Sequence, residues 1–215
     1  MKLSINEYKT LVFDCDGVVL NSNKVKTEAF FKAALPYGQE AAETLVHYHV
    51  SNGGVSRYKK FGYFLEVIVG KQSEAALRQL LDDYASYVRE GLLSCEVAEG
   101  LEVLRNNTSD SRWLIVSGGD QGELREIFQQ RGIHSWFDGG IFGSPDAKED
   151  ILERELAEGN ITKPALLLGD SKYDYKAARS AQLDFVFLSG WSEVAGWQQW
   201  TESEKITVKS AVSRL

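Results

Sequence analysis

Residues 10–22 read TLVFDCDGVVLNS, an apolar run from Thr10 to Phe13 that meets two aspartates one residue apart, Asp14 and Asp16. The run reads as a short strand buried on both faces. In an extended segment alternate side chains share a face, so Asp14 and Asp16 are expected on one side and Cys15 on the other. The spacing therefore predicts that the two carboxylates meet. Like charges that close raise each other's pKa unless a proton or a cation intervenes, and a hard, oxygen-seeking ion such as Mg²⁺ is the ordinary answer at neutral pH. Gly17 permits a tight turn that leaves the site open.

Three further runs look like buried strands: Trp113 to Val116, Ala165 to Leu168 and Phe185 to Leu188. Helical patterns lie between them. In residues 122–130, Leu124, Ile127 and Phe128 share a face, Asp120 and Glu123 resemble a capping box, and Gly132 supplies a stop; a second helix is expected from Lys148 to Glu158, before Gly159. Strands alternating with helices indicate βα units, so the expected fold class is α/β, a doubly wound, Rossmann-like parallel sheet. Roughly one hundred residues separate the first strand from the second, far more than one crossover helix requires. Within them, residues 24–35, 57–69 and 73–92 have helical character, the last with Leu77, Leu80, Leu81, Tyr84 and Val88 at helical spacing. The expected organisation is an α/β core from residues 1–20 and 96–215, with an inserted helical cap at 21–95.

The strand ends carry the chemistry. Trp113 to Val116 runs into Ser117-Gly118-Gly119, a hydroxyl and flexible backbone whose N–H groups can face an anion just before a helix N-terminus. Ala165 to Leu168 runs into Gly169-Asp170-Ser171-Lys172-Tyr173-Asp174, with two carboxylates four positions apart. Between them the segment 143–148 offers one cation, Lys148. Ligands of open α/β sheets bind at the carboxyl ends of the strands, so these groups are expected to converge.

In this order the motifs resemble those of the haloacid dehalogenase superfamily of hydrolases, and the resemblance extends from Asp14 to Asp174. It implies that Asp14 is the nucleophile and forms an aspartyl phosphate, while Asp16 is general acid and then general base. Ser117 and the Gly118 N–H would hold phosphoryl oxygens, and Lys148 would neutralise charge. Asp14, Asp170 and the main-chain carbonyl of Asp16 would bind Mg²⁺, and Asp174 would orient Lys148 or a metal-bound water. The insertion resembles the family's first cap type, and its segment 52–61 resembles a GxSR-like cap segment, which makes Arg57 and Gly54 candidates for substrate specificity. Asp16 favours phosphoester chemistry over the halide- and phosphonate-cleaving branches. The implied function is a Mg²⁺-dependent phosphomonoester hydrolase acting on a small phosphorylated metabolite, plausibly a sugar phosphate. A β-phosphoglucomutase-like phosphotransferase is the alternative, although the histidine common after DxD in that branch is missing. A receiver-like phosphoacceptor domain uses similar groups, but the long insertion and the DxD spacing argue against it.

Composition sets the remaining bounds. The 215 residues are 43% hydrophobic and 26% charged, ordinary for a globular protein. With 24 basic against 31 acidic residues and no basic run, neither nucleic acid nor an anionic membrane is an expected partner. No apolar leader or span is visible, and Cys15 and Cys95 lack metal or disulfide spacing, so a reducing, cytoplasmic setting is expected. Cys15 should be a buried apolar side chain. His47 and His49 should point different ways, with packed or surface roles. Trp191, Trp197 and Trp200 are spaced to pack on the sheet. Neither the alcohol half of the substrate nor the oligomeric state is legible in the sequence.

Overall fold

The computed structural model describes residues 4–215; residues 1–3 of the expected core lie outside the described residues. Six strands form one parallel sheet: β1 (Thr10–Phe13), β2 (Arg112–Asp120), β3 (Gly140–Ser144), β4 (Ala165–Gly169), β5 (Asp184–Leu188) and β6 (Thr207–Lys209). Their order is β3-β2-β1-β4-β5-β6. The chain therefore starts at the centre, winds outward to β3 and returns on the other side of β1, which puts the topological switch point between β1 and β4.

Four helices make up the insertion after β1: α1 (Asn23–Ala34), α2 (Gln39–Ser51), α3 (Arg57–Tyr63) and α4 (Glu74–Ser94). The remaining helices are α5 (Leu101–Asn107), α6 (Gln121–Gln130), α7 (Lys148–Ala157), α8 (Lys172–Ser180) and α9 (Trp197–Ser203). Side-chain alternation along the central strands fills both faces of the sheet. Leu11, Phe13, Trp113, Ile115, Leu166 and Leu168 join one buried cluster, which continues into the inserted helices through Phe30, Phe61, Tyr84 and Val88. Val12, Leu114, Val116 and Leu167 pack on the other side against Ile151, Leu152, Ala177 and Ala178 of α7 and α8.

Several elements depart from expectation. Helix α2 has no strong apolar stripe in the sequence, yet it buries Ala42, Leu45 and His49 at helical spacing. The helix expected over 57–69 ends at Tyr63 and continues as a wider π-type turn, Phe64–Ile68. Strands β3 and β6 carry no clear strand pattern in the sequence, the first because glycines flank its apolar pair and the second because it is a short, partly exposed edge. Ser117, Gly118 and Gly119 do not follow β2 but lie inside its end, where the register against β3 shifts between Val116 and Asp120. Trp197 and Trp200 do pack on the sheet, with ring centroids 5.8 and 5.4 Å from Phe187.

Candidate active site

Asp14 stands one residue past β1, beside β4. Its N–H donates to the Leu168 carbonyl at 2.9 Å, extending the β1–β4 ladder by one step. Its Oδ1 accepts from the Cys15 N–H at 2.8 Å, and Cys15 is buried among apolar side chains. The chain then turns at Gly17, whose φ of +72° suits glycine; a Cβ there would collide with the Asp170 carboxylate. This turn sets Asp170, just past β4, against the loop that follows Asp14. Asp170 Oδ2 accepts from Asn23 Nδ2 at 2.8 Å, and that amide also donates to the Trp191 carbonyl at 2.9 Å.

Lys148 opens α7 and is 1% exposed. Its ammonium lies 2.8 Å from Asp14 Oδ1 and 2.5 Å from Asp174 Oδ1. The other oxygen of Asp174 accepts from the Ser171 N–H at 3.1 Å and the Ser171 hydroxyl at 2.6 Å, completing a capping box at the start of α8. Asp174 is thereby pinned on one side by its own helix and on the other by Lys148.

Oxygens of Asp14, Asp170 and Asp174 all lie within 4.8 Å of one another, buried, with one ammonium among them. Burial and the neighbouring Asp174 push the Asp14 carboxyl up to about 7 against the pull of Lys148. Burial, then Asp14 and Asp174, push Asp170 well above the usual carboxylate range. Three carboxylates against one cation need protons or a further positive charge. Among the described residues Asp14 Oδ2 and Asp170 Oδ1 have no hydrogen-bond donor, whereas both oxygens of Asp174 are taken. An all-oxygen donor set with two open carboxylate oxygens fits a hard divalent cation.

Asp16 departs from expectation. Its carboxylate is not part of this cluster but forms an ion pair with Lys26 of α1 and accepts from the Ser22 hydroxyl at 2.5 Å. Burial opposes its ionisation, yet Lys26 and these hydrogen bonds hold it below the usual carboxylate range. The two carboxylates do not share a partner: Asp14 meets Lys148 and Asp16 meets Lys26. Ser22, Asn23 and Lys26 escaped sequence reasoning; their signal was a polar cluster, SNKVK, directly after an otherwise apolar turn.

Ser117 is fully buried, and its Oγ accepts from the Gly119 N–H at 3.0 Å, which leaves its own proton to donate. Gly118 and Gly119 line a cavity together with Asp14, Asp16 and Asp170. The backbone of Gly118 lies directly against that of Gly54, and a Cβ on Gly118 would overlap the Gly54 carbonyl oxygen. Gly118→Ala must therefore push the 53–55 segment away from the strand ends. A displacement on the order of 1 Å in such a site costs about 10²-fold, so steady-state kcat/KM should fall by that factor; a variant with native kcat/KM would show that the two loops need not touch during turnover.

The model of haloacid dehalogenase-like hydrolases matches residues 8–182. The chain belongs to that family. Among curated proteins, this haloacid dehalogenase-like hydrolase is 23% identical over 187 residues to a phosphorylated carbohydrates phosphatase of Thermotoga maritima, covering 83% of this chain and 84% of that one. Among solved structures it resembles a predicted phosphatase from Clostridium acetobutylicum, with a TM-score of 0.74, 19% identity and 94% of each chain covered. It also resembles a β-phosphoglucomutase from Clostridium difficile, with a TM-score of 0.73, 18% identity, and 96% of this chain and 92% of that one covered.

In this hydrolase the helical insertion closes over the cavity. Arg57 lines it but is engaged: it forms an ion pair with Glu123 of α6 and lies 4.5 Å over the Tyr84 ring. Its neighbour Tyr58 donates to Asp120 at 2.8 Å. Together they fasten α3 to the β2–α6 junction. His47 is exposed and His49 buried, as their offset on one helix requires. Two cavity-lining groups, Lys60 and His49, had no distinguishing pattern in the sequence, because only the packing of α2 against α3 brings them together.

Proposed function

We propose that this chain is a Mg²⁺-dependent phosphomonoester hydrolase acting on a small phosphorylated metabolite, a sugar phosphate or a compound of similar size. One observation carries the reading: Asp14, on the cavity wall, shares a buried cluster with two further carboxylates and Lys148, while Gly118 lines the same cavity. The named relative from Thermotoga maritima supports a phosphorylated carbohydrate as substrate class. The segment 21–95 serves as a cap that chooses the alcohol half.

Asp14 and Asp170 would hold the cation, with the main-chain carbonyl of Asp16. When bound, the ion supplies positive charge to the phosphoryl oxygens and keeps the carboxylates ionised. Asp14 attacks phosphorus, and the bond from phosphorus to the alcohol oxygen breaks. Lys148 balances the charge on Asp14 and on the phosphoryl group, while Ser117 and the Gly118 N–H hold its oxygens. Asp16 gives the leaving oxygen its proton, then takes one from the water that hydrolyses the aspartyl phosphate. The resting ion pair with Lys26 favours the ionised form of Asp16, which suits the second half; the first half requires substrate binding to loosen that pair.

Phosphate release from a panel of sugar, polyol and carboxylate phosphomonoesters is expected with Mg²⁺ and should be lost with excess chelator. Turnover indifferent to metal removal would sink the reading. A strict requirement for a bisphosphate activator would select a mutase instead.

A further inference from the structure

The cavity wall formed by α1, α2 and α3 carries three buried cations, and two of them are spoken for: Lys26 by Asp16 and Arg57 by Glu123. The third is Lys60, 2% exposed, on the same wall. Among the described residues its hydrogen-bond partner is His49 Nδ1 at 2.8 Å, and no carboxylate lies within 4.0 Å of its ammonium. Both side chains rest on Phe30, whose ring centroid is 4.4 Å from the imidazole and 5.5 Å from the ammonium. Burial and Lys60 together push His49 down to about 2, so the ring is neutral, its Nδ1 accepts from the ammonium and its proton sits on Nε2. A neutral acceptor orients the ammonium without cancelling its charge. Burial and the nearby Lys26 lower the Lys60 pKa to about 7, partly offset by Asp16 and by Glu193, a half-buried carboxyl that also lines the cavity. A buried ammonium without an anion is costly and is relieved when one arrives.

We propose that Lys60, braced by His49, is a subsite for a second anionic group, so that the preferred substrate is a phosphomonoester carrying a carboxylate or a second phosphate on a short chain. The proposal rests on the phosphatase reading and narrows it. The cavity measures about 60 Å³ with the helices seated as they are, only about four to six water-sized groups at roughly 10–15 Å³ each, so the substrate is short and its entry widens the space under the helices. Arg57, the expected specificity residue, is occupied by Glu123, which leaves the selection of a charged tail to Lys60.

Three esters of matched length provide the test: glycerol 3-phosphate with a neutral tail, 3-phosphoglycerate with a carboxylate and propane-1,3-diyl bisphosphate with a second phosphate. A hydrogen bond to a charged group is worth about 10- to 150-fold, and kcat/KM for at least one charged ester should exceed that for glycerol 3-phosphate by such a factor, chiefly through KM. Lys60→Met should collapse this ratio to below about 3, an effect of the same origin. The charged ester with the larger ratio identifies the anion. Calorimetric binding of the three esters to Asp14→Asn, with Lys or Met at position 60, reads the subsite without turnover. Equal affinities for charged and neutral tails, or a preference that survives Lys60→Met, overturn the subsite. Preferential binding without hydrolysis of any ester would overturn the phosphatase reading and leave the subsite standing.

Discussion

Asp14→Asn abolishes phosphate release, with kcat falling on the order of 10⁴-fold or more, because an amide cannot form the phosphorylated intermediate. Folding should survive, since the amide fits the space and can still meet the Cys15 N–H and Lys148. The same variant makes a second, independent prediction about stability. In the metal-free protein Asp14 is raised from an ordinary 3.8 to about 7, so between those pH values the folded state binds more protons than the unfolded one. Stability contributed by this group is fully present below the ordinary carboxylate range and is lost as pH rises through about 7. Asparagine does not titrate and lacks that loss. Thermal melts in chelator should therefore show the variant gaining on the native protein from pH 5 to pH 8, and Mg²⁺ should raise the melting temperature of the native protein more than that of the variant. Parallel melting curves across this range would mean that Asp14 does not titrate in a crowded acidic cluster.

Lys148→Met has the largest expected effect on stability. The ammonium is the sole cation in contact with Asp14 and Asp174 among the described residues, and removing it leaves buried carboxylates facing one another. Breaking a buried ion pair from one side costs about 3–5 kcal/mol. For a chain of this size each kcal/mol corresponds to about 2–4 °C, so a fall in melting temperature of about 6–20 °C is expected at neutral pH. The deficit should shrink on acidification, as the stranded carboxyls protonate, and on addition of Mg²⁺. Turnover should stay at least about 10³-fold down even in saturating metal, since a fixed charge beside the reacting phosphoryl group is gone. A variant that melts like the native protein would mean that Lys148 is not what holds the acidic cluster together.

Much of the candidate site's geometry was legible because polar groups at strand ends leave local marks. Asp14, Ser117, Lys148 and Asp170 each follow an apolar run or open a helix, and βα winding alone requires strand ends to gather on one edge of the sheet. The capping role of Asp174 was equally local, written in SKYD at the start of α8. The partners of Asp16 were not legible. DxD marks two carboxylates but not the cations that claim them, Lys148 for Asp14 and Lys26 for Asp16. Arg57 stood out as the strongest cap cation, yet Glu123 claims it through a contact 66 positions away in the chain.

The sequence by itself determined the four central strands, the long insertion after the first of them and the acidic, hydroxyl and lysine groups near the strand ends, because apolar runs, glycine stops and spacing act over a few residues. Only the tertiary structure decided which charges neutralise which. Pairing of Lys26 with Asp16, and the exposure of Lys60 to the cavity without an anion, depend on how α1, α2 and α3 pack over the strand ends. Coulomb energies in a buried site are set by distances of a few ångströms between groups remote in sequence, and no local pattern encodes those distances.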